Sequence, residues 1–229
     1  HYEIKKPLVA YHKFNETVAA EKIIRDLKDG KNVALITDAG TPVVSDPGNV
    51  LTKLLREEGV DYTVIPGATA FVPALILSGL DAQRFAFIGF LPGKKKDREE
   101  LLARYKNLDM TLIFYSAPHD LFDDLASLYD AFGARKAAVC KEITKLHEGV
   151  ERITLGDTLA AQEPKGEYVI VVEGGEAEES ELLALSVEDH IKHYMKSGMD
   201  KKEAMKAVAK DRKISKSEVY KYSVGIENN

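Results

Sequence analysis

The stretch NVALITDAGTPVVSDPG, residues 32 to 48, decides how this chain is read. Its first six residues are a short apolar run of the length expected for a buried strand. The remainder holds Asp38, Gly40, Pro42, Asp46, Pro47 and Gly48, the composition of a shaped loop. In an open α/β sheet, ligands sit beyond the carboxyl ends of the strands, and this loop falls at such an end. Gly40 and Gly48 allow a ligand to approach the backbone closely, Pro42 and Pro47 fix the path, and Asp38 is suited to an ammonium or a ribose. The same residues serve equally well as turn formers, with Asp46 capping a helix that starts after Pro47. Spacing alone leaves both readings open.

Working outward, VIPGATA (64–70) repeats the logic: a strand, a Gly-Pro turn, then a helix whose first N–H groups, with the Thr69 hydroxyl, suit a carboxylate or are simply capped by Thr69. Around these loops, strand and helix patterns alternate. TVAAEKIIRDLKDG reads as a helix with Asn15 before it and Gly30 after it. NVLTKLLREEG is a helix, DYTVIPG (61–67) a strand, and ATAFVPALILSG an apolar helix with Pro73 near its start. RFAFIGF, MTLIFYSAP, KAAVCKEIT, VERITLG and GEYVIVVEG are strand candidates. KKKDREELLARYKNL and residues 119–132 are helices between them. The rhythm predicts an α/β fold with a largely parallel sheet. An acidic linker, GGEAEES, leads to three short helical patterns that open on Ser186, Asp200 and Ser215, as in a helix-turn-helix-like unit. The expected division is 1–79, 80–175, a linker 176–185 and a helical unit 186–229.

The 229 residues carry a net charge of −5, so contact with nucleic acid must come from local patches. Lys94, Lys95 and Lys96 form one such patch. Lys201, Lys202, Lys206, Lys210, Arg212 and Lys213 form another; either also reads as a solvated helix face. The single cysteine, Cys140, lies in an apolar run, excludes an internal disulfide and reads as a buried small residue in a reducing compartment. No apolar run reaches the length of a membrane span, and no leader pattern precedes the first helix. His190 and His193, three apart, lack further ligands, so no metal is expected. Phosphate-loop, dinucleotide and hydrolase-elbow motifs are missing from the sequence. The segment KEITKLHEG gathers Lys141, Glu142, Lys145, His147 and Glu148 after a strand. Glu142 or His147 suits a general base and Lys145 an oxyanion partner, against the alternative of a solvated ion-pair loop.

DAGTPVVSDPG, VIPGATA, GFLPGKKKDREE, LIFYSAPHDL, KEITKLHEGVERITLG and GEYVIVVEG follow one another in this order. Together they closely resemble the ribosomal small-subunit RNA methyltransferase I family, 16S rRNA (cytidine-2′-O)-methyltransferases of the tetrapyrrole methylase superfamily. The resemblance spans roughly residues 1 to 175, and the helical tail resembles the family's extension. It implies two α/β domains with S-adenosylmethionine in the cleft between them, a homodimer, a cytoplasmic location, and 16S rRNA or the small ribosomal subunit as substrate. It also implies cofactor contacts from Asp38, Ala39, Gly40, Thr41, Thr69, Ala70, Tyr115 and Gly166. The family's opening GTPIGN-like loop and EDTR-like motif have no counterpart here. That departure implies an incomplete first domain and weakened cofactor binding. Two other functions compete: methylation of a small molecule such as a tetrapyrrole, and a non-catalytic RNA-binding module.

Overall fold

The computed structural model describes residues 3–160, 163–175, 179–224 and 226. Helices α1 (Glu16–Lys28) and α2 (Asn49–Glu57) pack on each other through Ala20, Ile24, Leu51 and Leu55. The Glu16 carboxylate, in the first turn of α1, accepts a 2.6 Å hydrogen bond from the Gly48 N–H. That bond ties the end of the 36–48 loop to α1. Asn15 precedes α1 as expected but does not cap it through its side chain. Its amide accepts from the His12 N–H and donates to the Ala10 carbonyl instead.

The strands expected at 32–37 and 61–67 are not observed. A strand exists through its ladder, and among the described residues neither run has a hydrogen-bonded neighbour. Ile36 and Ile65 stand 72% and 85% exposed in consequence.

Helix α3 (Phe71–Ser78) ends at Gly79, whose φ of 77° is the left-handed cap that glycine supplies without strain. Beyond it lies a sheet of β1 (Phe85–Phe90), β2 (Thr111–Ser116), β3 (Lys136–Lys141), β4 (Gly149–Thr154) and β5 (Tyr168–Val172), in the order β1-β2-β5-β3-β4. Only β1 and β2 are parallel; the other three pairings are antiparallel, which corrects the expectation of a largely parallel sheet. The reason lies in the connections. Helix α4 (Lys95–Tyr105) bridges β1 to β2 as a crossover, whereas β3 turns into β4 through the short loop 142–148. β5 enters last, antiparallel between β2 and β3, and is buried along its whole length.

Alternation along the strands builds two cores. Leu112, Phe114, Ala137, Val139, Ile170 and Val172 face Leu102 of α4 and Leu121, Leu128 and Phe132 of α5 (Leu121–Phe132). Ile113, Ala138, Cys140, Val169 and Val171 face Ala74 and Leu75 of α3. Burying each of the larger side chains contributes about 1.5–3 kcal/mol. Helix α3 thus sits on the sheet face opposite α4 and α5, with its N-terminus beside the end of β2.

The C-terminal part contains α6 (Glu179–Ala184), α7 (Val187–Lys196), α8 (Lys201–Asp211) and α9 (Lys216–Tyr222). The short helix α6 occupies most of the stretch expected as a linker, because ESELLA holds good helix formers; residues 176–178 of that stretch lie outside the described ones. Ser186, Asp200 and Ser215 cap the last three helices, accepting from the N–H of Asp189, Glu203 and Glu218. An acid at the third helical position completes each pattern. Ile191, Ala204, Val208 and Val219 form their common core.

Candidate active site

The two Gly-Pro loops meet. The Thr41 N–H donates to the Ala68 carbonyl at 3.0 Å, and the Thr41 hydroxyl reaches the same oxygen at 3.3 Å. Two glycines permit this contact. A Cβ on Gly40 would stand 3.0 Å from the Ala68 oxygen, and one on Gly67 would stand 3.1 Å from the Thr41 hydroxyl. Gly48, at φ 144°, has Val43 and Leu35 where a side chain would go. The missing side chains at Gly40 and Gly48 are therefore taken up by loop packing, not by a space left for a ligand. The capping readings fail too. Gly48 precedes α2 and Ala70 precedes α3 without side-chain caps, so neither Asp46 nor Thr69 closes a helix.

That leaves Asp38 and Asp46 exposed, and among the described residues neither has an ion pair or hydrogen bond. Partial burial raises the Asp46 carboxyl above its usual range, and the negative charges of Asp38 and Glu167 raise it further. The three carboxylates therefore share one electrostatic neighbourhood. Tyr115, at the end of β2, joins them. Its hydroxyl faces the backbone N–H groups of Phe71 and Ala70 at the start of α3. Burial nevertheless pushes the phenol up, with Asp46 and Glu167 adding to the effect. Phe71 and Phe87 stack at 4.6 Å, and Phe87 and Phe90 meet Tyr115 edge-on at 4.8 and 5.6 Å. An aromatic wall so stands beside an acidic one.

Gly89 brings the quoted loop over the sheet. It lies at a register shift in β1 with φ 78°, and a Cβ there would stand 3.3 Å from the Ser45 hydroxyl. Val43 and Ser45 take left-handed backbone values of 76° and 64°, uncommon for side chains other than glycine.

Beside Glu167, the Lys145 ammonium bridges Glu142 at 3.0 Å and Glu167 at 2.8 Å. Those bonds raise the Lys145 pKa. The Glu142 carboxyl is held below its usual range by Lys145 and by the Glu167 N–H, which donates at 2.8 Å. Glu142 and Thr144 both have positive φ, so the loop is tightly shaped. His147 stands exposed on it. Gly166 packs against the Glu142 side chain so closely that a Cβ would come within 2.4 Å of its carboxylate.

The structure thus brings Asp38, Ala39, Gly40 and Thr41, Thr69 and Ala70, Tyr115, Gly166, Glu142 and Lys145 into one neighbourhood. Sequence reasoning missed Asp46 as an acid of this wall and missed Glu167 altogether; its place directly after Gly166 was the available signal. Lys94, Lys95 and Lys96 lie at the start of α4. Lys95 and Lys96 hold Glu99 and Glu100 loosely at 3.8 Å, exposed pairs of small energetic worth.

A methylase fold accounts for this arrangement. The family model of tetrapyrrole (corrin/porphyrin) methylases matches residues 2–159. A ribosomal RNA small subunit methyltransferase I from Halalkalibacterium halodurans is 42% identical over 96% of this chain and 78% of its own length. Its counterpart from Bacillus subtilis is 40% identical over the same shares, and that from Escherichia coli O157:H7 is 34% identical over 98% and 80%. The chain belongs to the ribosomal RNA small subunit methyltransferase I family. Solved structures agree on the fold. The methyltransferase CobJ aligns at TM-score 0.54 and 20% identity, covering 69% of this chain and 71% of its own. Diphthine synthase aligns at 0.56 and 17%, covering 74% and 70%.

The methyl donor of this family is S-adenosylmethionine, and the site fits it in charge. Its sulfonium and ammonium are cations; Asp38 and Asp46 carry no ion pair among the described residues, and the raised Asp46 carboxyl, pushed up by burial, Asp38 and Glu167, is a site that a cation would relieve. No described helix is long and apolar enough to cross a membrane, and no described group of acids, His and Cys is arranged to hold a metal.

Proposed function

We propose that the protein methylates the ribose 2′-oxygen of a cytidine in 16S ribosomal RNA. The relatives' names support the ribosomal substrate. The acidic wall with Lys145 at its edge is the observation that carries the site. When bound, S-adenosylmethionine supplies a methyl group activated for in-line displacement. The chain's own residues do the rest. Asp38 to Thr41, with Thr69 and Ala70, run along the donor, and Tyr115 and Gly166 lie toward its adenosine. Holding two reactants in line supplies much of the rate.

A 2′-hydroxyl must lose its proton as it attacks. Lys145, kept protonated by two carboxylates, is the cation that steadies the developing alkoxide. Glu142 is already engaged by Lys145 and by the Glu167 N–H, so it acts as a positioning residue for Lys145. His147, exposed on the same loop, is the remaining proton acceptor. Lys94, Lys95 and Lys96 contact RNA phosphates as the substrate docks. The same proposal includes the homodimer, a cytoplasmic location, and a division into units 1–79, 80–175 and 186–229.

The test is methyl transfer from labelled S-adenosylmethionine to small ribosomal subunits, to naked 16S rRNA and to porphyrin precursors, with digestion to nucleosides. The expected product is 2′-O-methylcytidine from ribosomal substrate alone. Lys145→Ala should lower turnover about a hundredfold or more while donor affinity, read by calorimetry, stays within about twofold. Label on a base or a porphyrin, or full turnover in Lys145→Ala, overturns the reading.

A further inference from the structure

We propose that the C-terminal helical unit is a docking site for a single-stranded segment of RNA, held in a groove between α7, α8 and α9. The inference rests on the reading of ribosomal RNA as substrate. It adds where, outside the candidate active site, that substrate is gripped.

Charge segregation is the first observation. Residues 186–226 contain ten Lys and Arg against six Asp and Glu, in a chain whose overall charge is −5. The unit is a local cation on an acidic protein. Within it, an open groove of about 960 Å³ lies along the C-terminal half of α7, the turn at Gly198, the start of α8 and the exposed side of α9. Four lysines, Lys192, Lys196, Lys201 and Lys202, line it against one acid, Asp200. Asp200 is already committed, accepting from the Glu203 N–H as the cap of α8.

The lysines differ in what holds them. Lys192 pairs with Glu188 at 2.7 Å, and Lys201 donates to the Ile226 carbonyl at 2.6 Å. Lys196 and Lys202 make no ion pair among the described residues and are left for a ligand's charge. The cations expected from sequence divide here as well. Arg212 points inward, its guanidinium donating to His190 Nδ1 and to the Leu182 and Leu185 carbonyls. It belongs to the frame of the unit and not to its RNA-facing surface.

The floor is the second observation. Three of the chain's four methionines, Met195, Met199 and Met205, line this one groove beside Tyr220, which is 62% exposed. Methionine is flexible and polarisable and favours contact with aromatic rings. An exposed tyrosine ring beside lysines is the pattern on which unstacked bases sit while cations follow the backbone. A duplex presents no base faces to such a floor, so the occupant is a single strand. The volume is in the range of a ligand of roughly two nucleotides.

The experiment measures binding of fluorescent single-stranded oligonucleotides and a matched RNA duplex to the full chain, across a salt series. Wild type should prefer the single strand, with affinity falling as salt rises. Lys196→Ala with Lys202→Ala should weaken it about tenfold and flatten the salt slope by about 1.4, two charges at roughly 0.7 each. Tyr220→Ala should weaken it about fivefold or more, and Tyr220→Phe, which keeps the ring, should bind as wild type. Circular dichroism and donor affinity should be unchanged in all three. Equal affinity for duplex, or single-strand affinity unmoved by these variants, overturns the docking site. The two readings fail separately. Variants that bind oligonucleotide normally, in a protein that still methylates 16S rRNA, sink only the groove. Groove-dependent RNA binding without rRNA methylation sinks only the proposed reaction.

Discussion

Gly166 has a φ of 87°, and the Glu142 carboxylate lies where its side chain would be. Gly166→Ala therefore does two things. The left-handed backbone costs about 1–2 kcal/mol for any residue with a Cβ. The methyl group also pushes the Glu142 carboxylate off Lys145, loosening the bridge to Glu167. The expected outcome is a modest fall in thermal stability, together with a loss of turnover that approaches that of Lys145→Ala. Denaturation and single-turnover methyl transfer on the same preparation check it; wild-type turnover in Gly166→Ala would show that the bridge is not needed. The pH dependence of the bridge has two edges. Glu142, with its carboxyl depressed, contributes above the usual carboxylate range, and that contribution is lost as pH falls through its folded value. Lys145, with its ammonium raised, contributes fully below the usual lysine value and loses it as pH climbs through the raised one. At this scale the sequence was partly legible. Clustered charges in KEITKLHEG marked Glu142 and Lys145, but Glu167 becomes their neighbour only when β5 pairs with β3, bringing Lys141 opposite Tyr168. No spacing along the chain records that pairing.

Helix α3 shows why elements were easier to read than their partners. An apolar helix over ATAFVPALILSG follows from the run's composition and length, and α3 occupies Phe71–Ser78. The segment 32–37 is as apolar as β2 or β3, with four apolar residues of six in each, yet neither it nor 61–67 forms a ladder among the described residues. Composition gives a strand's affinity for a sheet but not its neighbour. The antiparallel entry of β5 was hidden for the same reason. Ala74 carries the contact of α3 with the sheet. It is fully buried, and its carbonyl lies 3.7 Å from the Cys140 sulfur. Burial pushes the Cys140 thiol up to about 11, so in the native protein it should resist iodoacetamide at neutral pH. Ala74→Leu overfills this interface and should destabilise the protein by about 1–3 kcal/mol. It should also speed Cys140 alkylation, as α3 lifts from the sheet. Faster labelling without loss of stability, or the reverse, would separate α3 from the sheet core to which its packing assigns it.

Over the whole molecule, charge and packing divide along the same line. The sheet and its three helices hold the candidate active site and lie in the acidic part of the chain; the C-terminal helices hold the cationic groove and a core of their own. A buried histidine makes the second part sensitive to acid. His190 is fully buried on α7, stacks on Tyr194 at 5.2 Å, and accepts from Arg212 through Nδ1. Asp211 lies 3.5 Å from its other nitrogen and favours the imidazolium, while Arg212 and His193 oppose it. Burial dominates and lowers the His190 pKa below its ordinary value. The unfolded chain thus binds a proton that the folded unit rejects, so stability is present above the ordinary histidine range and is lost as pH falls through it toward the depressed value. Protonation would also break the Arg212 bond, and with it the hold of Arg212 on the Leu182 and Leu185 carbonyls. Lowering the pH from about 8 to about 5 should therefore raise amide exchange in α7 and α8, after correction for intrinsic rates, while β2 and β5 keep their protection. Replacing His190 with Gln, which cannot titrate, should remove that response. If protection in the helices and the sheet falls together in both proteins, His190 is not the group that links acid to the C-terminal unit.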